Sequence, residues 1–171
     1  DVVGKYEAAK VADRMVDFCD VLARFVGIRF TLEGPQPCEP EGEVAEGVVA
    51  YFFDECQDSS PLVDLACRRL AAGSKFVVLA GDPFQSIYGS FAGGDSRLFM
   101  DWAADEVVVM PKSHRCPSTI LGLGEKCLRG MHQGYWDRGI AGADHPGEVT
   151  RAFSIRGAVV DYVKPGESTL V

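Results

Sequence analysis

The 171 residues are 47% hydrophobic and 25% charged, with 17 Lys and Arg against 25 Asp and Glu for a formal net charge of −8. This is the composition of a globular chain long enough to bury a core, and it excludes wholesale disorder. The acidic balance argues against a free-standing nucleic-acid binder, which needs a basic face, but not against a piece of one. Apolar runs such as Phe76-Val77-Val78-Leu79-Ala80 are strand-sized and far short of a membrane span, so no membrane partner is expected. No basic segment followed by an apolar one marks a secretory signal. The six cysteines, Cys19, Cys38, Cys56, Cys67, Cys116 and Cys127, form no C-x-x-C pair. They read as buried thiols in a reducing, cytoplasmic compartment.

The first pattern in the chain is a helical period over residues 5–26, with apolar positions such as Val11, Met15, Cys19 and Leu22 and charges between them. Residues 27–47 turn rich in Pro, Gly and Glu and read as a long connection, with Ile28–Leu32 a possible short strand. A strand is expected over 48–53. Ser60 then caps a helix with Pro61 at its first position, running to about Ala72 before Gly73. A second strand over 75–80 leads into Gly81-Asp82-Pro83. After a glycine-rich segment come a helix over 96–104, a strand over 106–110, and a helix opened by Pro117 and running to about Met131. The final stretch suggests strands over 147–153 and 168–171 around a helix near 155–163. Alternating strands and helices predict an α/β chain: a parallel sheet with crossover helices, plus an N-terminal helical segment. The strands are apolar throughout, which predicts cover on both sheet faces.

Three polar constellations stand out. Asp54-Glu55-Cys56-Gln57-Asp58 follows the first strand. At a strand's carboxyl end, one carboxylate can hold Mg²⁺ while its neighbour activates water. The plainer reading is a solvated helix start, in which Gln57 and Asp58 supply polar first-turn residues. Gly81-Asp82-Pro83-Phe84-Gln85-Ser86-Ile87-Tyr88 follows the second strand. If the two strands are parallel neighbours, Asp82 and Gln85 can meet Asp54 and Glu55, and an amide such as that of Gln85 can both donate to a phosphate and accept from a water. The plainer reading is a turn. Ser113-His114-Arg115 is expected after the third strand, where Arg115 suits phosphate recognition or is simply an exposed arginine. No G-x-x-x-x-G-K-[ST] loop occurs anywhere in the sequence.

In this order, the segments resemble the UvrD/Rep-type branch of superfamily 1 DNA helicases. Asp54–Asp58 is similar to that family's D-E-x-Q-D motif, Gly81–Tyr88 to its G-D-x-x-Q-S-I-Y motif, and Phe91–Asp95 to the aromatic and glycine-rich continuation. Ser113-His114-Arg115 resembles the following arginine motif, although His114 stands where an aromatic is usual. Asp17-Phe18-Cys19-Asp20 resembles an upstream D-F-x-D segment, and Tyr135-Trp136 and Gly147-Glu148-Val149 fit the downstream spacing. Between Tyr88 and Phe91 there is one residue more than the commonest family spacing.

The resemblance implies a partial P-loop NTPase, or RecA-like, motor fold. Residues 1–27 would end a helical inserted subdomain and 28–47 connect it. Residues 48–131 would be the later half of the first motor domain, and 132–171 the start of the second. It further implies ATP and Mg²⁺ as cofactors, with Asp54 on the metal and Glu55 as the base. Asp82, Gln85 and Arg115 would contact nucleotide, and Tyr88 and Phe91 would lie toward single-stranded DNA. Such an enzyme works in DNA repair or replication, in a bacterial or phage-infected cell. The missing phosphate loop, a start at Asp1 and an end inside an apolar run lead to the expectation of an internal fragment, inactive without the rest of the helicase polypeptide. A non-catalytic module that keeps the motor scaffold, and a metal-dependent nuclease built on Asp54, Glu55, Asp58 and Asp82, are the alternatives.

Overall fold

The computed structural model describes residues 2–89, 93–131, 134–149 and 154. The chain divides after Ala104 into two compact units. It is a mixed α/β protein, and its described strands form three separate two-stranded sheets, two of them parallel.

The first unit opens with two helices where the sequence pattern predicts one. α1 spans Val2–Asp13 and α2 spans Phe18–Phe25. Arg14 takes a left-handed backbone (φ 54°), and Asp17 starts a new helix through a capping box. The Asp17 carboxylate accepts from the Asp20 N–H (2.9 Å), and the Asp20 carboxylate accepts from the Asp17 N–H (2.9 Å). That reciprocal pair satisfies two amides at the helix start that would otherwise lack partners. Lys10 closes the corner from α1. Its buried ammonium contacts Glu7 (2.9 Å), Asp17 (3.1 Å) and Asp20 (3.0 Å). Burial opposes its charge, but the three carboxylates outweigh that and raise its pKa above the ordinary lysine range. The same corner pulls Asp17 down to about 2, chiefly through the Asp20 N–H, with Tyr6 and Lys10 assisting.

Gly27 ends α2 at φ 81°, where a Cβ would stand 3.0 Å from the Cys38 carbonyl, so only glycine fits without displacement. The connection then forms a hairpin. β1 (Ile28–Thr31), the expected extra strand, pairs antiparallel with β2 (Gly34–Pro37). Arg69 pins the connection beyond it, donating to the Phe25, Glu41 and Gly42 carbonyls while lying over the Phe25 ring.

β3 (Ala50–Phe53) and β4 (Phe76–Leu79) are parallel neighbours in the register Ala50↔Phe76 to Phe53↔Leu79. They are joined by α3 (Pro61–Ala71), whose N-cap is Ser60 with Pro61 in the first turn, as the sequence indicates. The short α4 (Ser96–Met100) follows an Asp95 cap. Alternation along a strand sends Tyr51 and Phe53 to one face and Ala50 and Phe52 to the other. On the first face Phe53 packs against Trp102, with ring centroids 6.3 Å apart. The Trp102 indole donates to buried Asp64 on α3 (2.7 Å), and Asp64 also accepts from Arg68 (2.7 Å). Nothing among the described residues covers the second face. Phe52 is 76% exposed and Phe76 54%, which corrects the expectation of cover on both faces.

The second unit contains β5 (Lys112–Pro117), α5 (Ser118–Met131) and β6 (Ala141–Ala143), with β5 and β6 parallel. Residues 106–110, expected as a strand, adopt no regular structure, and Val107 is 82% exposed. An apolar β-branched run becomes a strand only when a partner supplies the ladder, and none does here among the described residues. Residues 147–149, the described part of the strand expected over 147–153, are likewise irregular, while the helix expected over 155–163 and the strand expected over 168–171 lie outside the described residues.

The cysteines also depart from expectation. All six are free, but Cys56 alone is buried, and Cys19 and Cys127 are exposed. Among the described residues, no helix is long and apolar enough to cross a membrane.

Candidate functional site

Strand order brings two of the three constellations together. Because β3 and β4 run side by side in one direction, Asp54-Glu55 and Gly81-Asp82 leave their carboxyl ends as neighbours. The backbone joins them as well. Ala80 N–H donates to the Phe53 carbonyl (2.8 Å), and Cys56 N–H donates to the Ala80 carbonyl (3.0 Å).

Asp54 and Glu55 are both exposed. One Asp54 oxygen accepts from the Glu55 N–H (2.9 Å). Glu55 holds φ 53° and ψ 36°, a left-handed conformation that costs a non-glycine residue on the order of 1–2 kcal/mol. The twist ends the strand abruptly, and Cys56–Asp58 follow as a single 3-10 turn rather than the start of α3.

Gln57, the middle residue of this turn, is only 2% exposed. Its Nε2 donates to Glu55 Oε2 (2.7 Å) and to Asp58 Oδ2 (3.2 Å), and its Oε1 accepts from the Asp82 N–H (3.1 Å). On the β4 side, Asp82 caps a second 3-10 turn, Pro83–Gln85, by accepting from the Phe84 N–H (3.0 Å). Its other oxygen accepts from Gln85 Nε2 (2.7 Å). Asp54, Glu55, Gln57, Asp58, Asp82 and Gln85 are thus linked by one continuous hydrogen-bond chain.

Sequence reasoning placed Gln57 in a polar first turn and missed this role. The structure alone reveals it: a Cβ at Gly81 would meet Gln57 Oε1 at 2.7 Å. Burial also pushes the Cys56 and Cys67 thiols up from their ordinary values, which disfavours thiolate chemistry beside the site.

Tyr88 follows on the Gln85 segment and is 41% exposed. Phe91 lies outside the described residues. Arg115 belongs to the second unit. It is exposed and sits within β5 rather than after a third strand, its carbonyl accepting from the His145 ring (3.1 Å). Among the described residues it forms no ion pair, and no group of three or more His, Cys, Asp or Glu side chains is placed to hold a metal ion unaided. Asp54 offers one accessible carboxylate. That suits Mg²⁺ bound mainly by water and phosphate oxygens, which takes only one or two protein carboxylates.

A comparison with protein-family models finds no match for this chain, and neither does a comparison with curated proteins.

Proposed function

We propose that this chain is part of an ATP-dependent DNA helicase or translocase of the UvrD type, in which Mg-ATP hydrolysis drives movement on single-stranded DNA. The observation that carries the reading is the hydrogen-bond chain joining the Asp54–Asp58 and Asp82–Gln85 segments at adjacent parallel strand ends. Asp54 would hold Mg²⁺, which neutralises charge on the phosphates when bound. Glu55 takes a proton from the attacking water, and Gln85 orients that water or contacts the terminal phosphate. Arg115 would stabilise charge on the γ-phosphate in the transition state. Tyr88 and Phe91 stack on bases without selecting sequence, each worth about 1–3 kcal/mol.

The exposure of Phe52, Phe76 and Val78 is in keeping with a larger layered α/β scaffold, because a parallel sheet is ordinarily covered on both sides. Without a lysine-bearing phosphate loop, the 171-residue chain has little with which to hold the β- and γ-phosphates. It is expected to show no DNA-stimulated ATPase activity. The test is the uninterrupted reading frame. It should encode G-x-x-x-x-G-K-[ST] upstream, and the full-length polypeptide should hydrolyse ATP in the presence of single-stranded DNA. Glu55→Gln should lower that turnover by about 10²-fold or more, in line with loss of a general base. Turnover by the 171-residue chain itself, or full activity in Glu55→Gln, would sink the reading.

A further inference from the structure

Gln57 has no part in the chemistry proposed above, yet it is the side chain most deeply enclosed at the site, at 2% exposure. A buried amide is costly unless its hydrogen bonds are made, and both ends of this one are engaged. Two carboxylates, Glu55 (2.7 Å) and Asp58 (3.2 Å), require a donor on one side. The Asp82 N–H (3.1 Å) requires an acceptor on the other. The chemistry of those partners fixes the amide's orientation, because a flipped amide would oppose donor to donor and acceptor to acceptor. Gly81 leaves the space for this contact. A Cβ there would stand 2.7 Å from Gln57 Oε1 and 3.3 Å from the Cys56 and Gln57 backbone nitrogens.

We infer that Gln57 is a positioning residue that aims the Glu55 carboxylate and fixes the Asp82 backbone together, so that the base and the Gln85 arm form one body. The inference rests on the proposed function only for the roles of Glu55 and Gln85, since the coupling is a property of the fold. Through Asp82 Oδ2, the contact reaches Gln85 Nε2 (2.7 Å). A change in what Gln85 touches is thereby passed to Glu55 through a continuous hydrogen-bonded link, exposed at its Gln85 end and part-buried where it runs through Gln57.

Amide hydrogen exchange and carboxyl carbon shifts, measured by NMR on the whole chain, test the coupling. Gln57→Glu keeps an oxygen for the Asp82 N–H but in its ionised form offers Glu55 no donor, whereas Gln57→Leu removes both. Asp82 exchange should quicken roughly five- to tenfold in Gln57→Leu, the equivalent of one ordinary hydrogen bond, and change less than about twofold in Gln57→Glu. The Glu55 carboxyl signal should move in both. A residue that only fills space would give the same Asp82 protection in the two variants, and that result overturns the inference. So does an unmoved Glu55 signal. If the Glu variant fails to fold, as seen in lost protection of the β1–β2 hairpin, Gly81→Ala replaces it. Gly81→Ala displaces the amide without altering it and should shift the Glu55 and Asp82 signals together, and movement of only one overturns the proposal. In the full-length polypeptide, Gln57→Leu should lower kcat roughly ten- to hundredfold with KM nearly unchanged. An unaltered polypeptide with no ATPase activity would defeat the functional reading while the exchange pattern still decides the coupling.

Discussion

The two faces of the β3–β4 pair are built from equally apolar residues and meet different fates. On the Tyr51/Phe53 face, α3 and the α4 region supply Trp102, Asp64 and Arg68, which interlock through the indole hydrogen bond and the guanidinium stacked on its ring at 4.4 Å. On the Ala50/Phe52 face nothing among the described residues does so, and Phe52, Phe76 and Val78 remain exposed. Apolarity alone therefore says that a strand belongs inside a sheet, not which layers are present to cover it. The difference also locates the stability of the first unit: it lies on one side of the sheet, directly behind the strand ends that carry the candidate site.

That comparison can be broken most decisively at Trp102. Trp102→Ala removes the lid over Phe53 and strands Asp64 with Arg68 alone, and should cost about 3 kcal/mol in a denaturant titration, near the low end for tryptophan because the residue is only partly buried. A loss below about 1 kcal/mol would mean that the covered face is not where the stability resides. Next comes Ser60→Ala, which removes the N-cap of the covering helix and should cost about 1 kcal/mol by the same measurement. Phe52→Ser, on the open face, should change stability by no more than about 0.5 kcal/mol while reducing self-association in light scattering. A large destabilisation there would show that the open face is covered in solution.

The smallest expected effect is at the α1–α2 corner, away from the sheet. Asp17 is held at about 2 against an ordinary 3.8, so its contribution is fully present above about pH 4 and is lost as pH falls through 2. Acid should therefore lower the protection of the Asp20 amide relative to its intrinsic exchange rate over that window, while the β3–β4 amides keep theirs.

The sequence made legible what local chemistry dictates. β3 and β4 were bounded by apolar runs, α3 by Ser60 and Pro61, and the polar segments by their position at strand ends. Residues 106–110 misled because a β-branched run carries no information about whether a neighbour exists. The break between α1 and α2 was written in Asp17 and Asp20, but the apolar period ran through it and hid the cap. Gln57 was hidden for a different reason. A glutamine among acids reads as solvated, and its burial is settled by Gly81 and Asp82, which come more than twenty positions later in the chain.

Glu55 carries a consequence for how this segment can vary. Its left-handed backbone is one that glycine, and to a lesser degree asparagine, adopts at little cost. Selection for folding alone would drift position 55 toward those residues, relieving the backbone while discarding the carboxylate. Selection for catalysis would retain glutamate against that drift. A library randomised at position 55 and sorted first for folded protein, then for activity of the full-length polypeptide, should therefore enrich different residues in the two rounds. The separation between the two winners would measure how much stability the chain gives up to keep an acid at that turn.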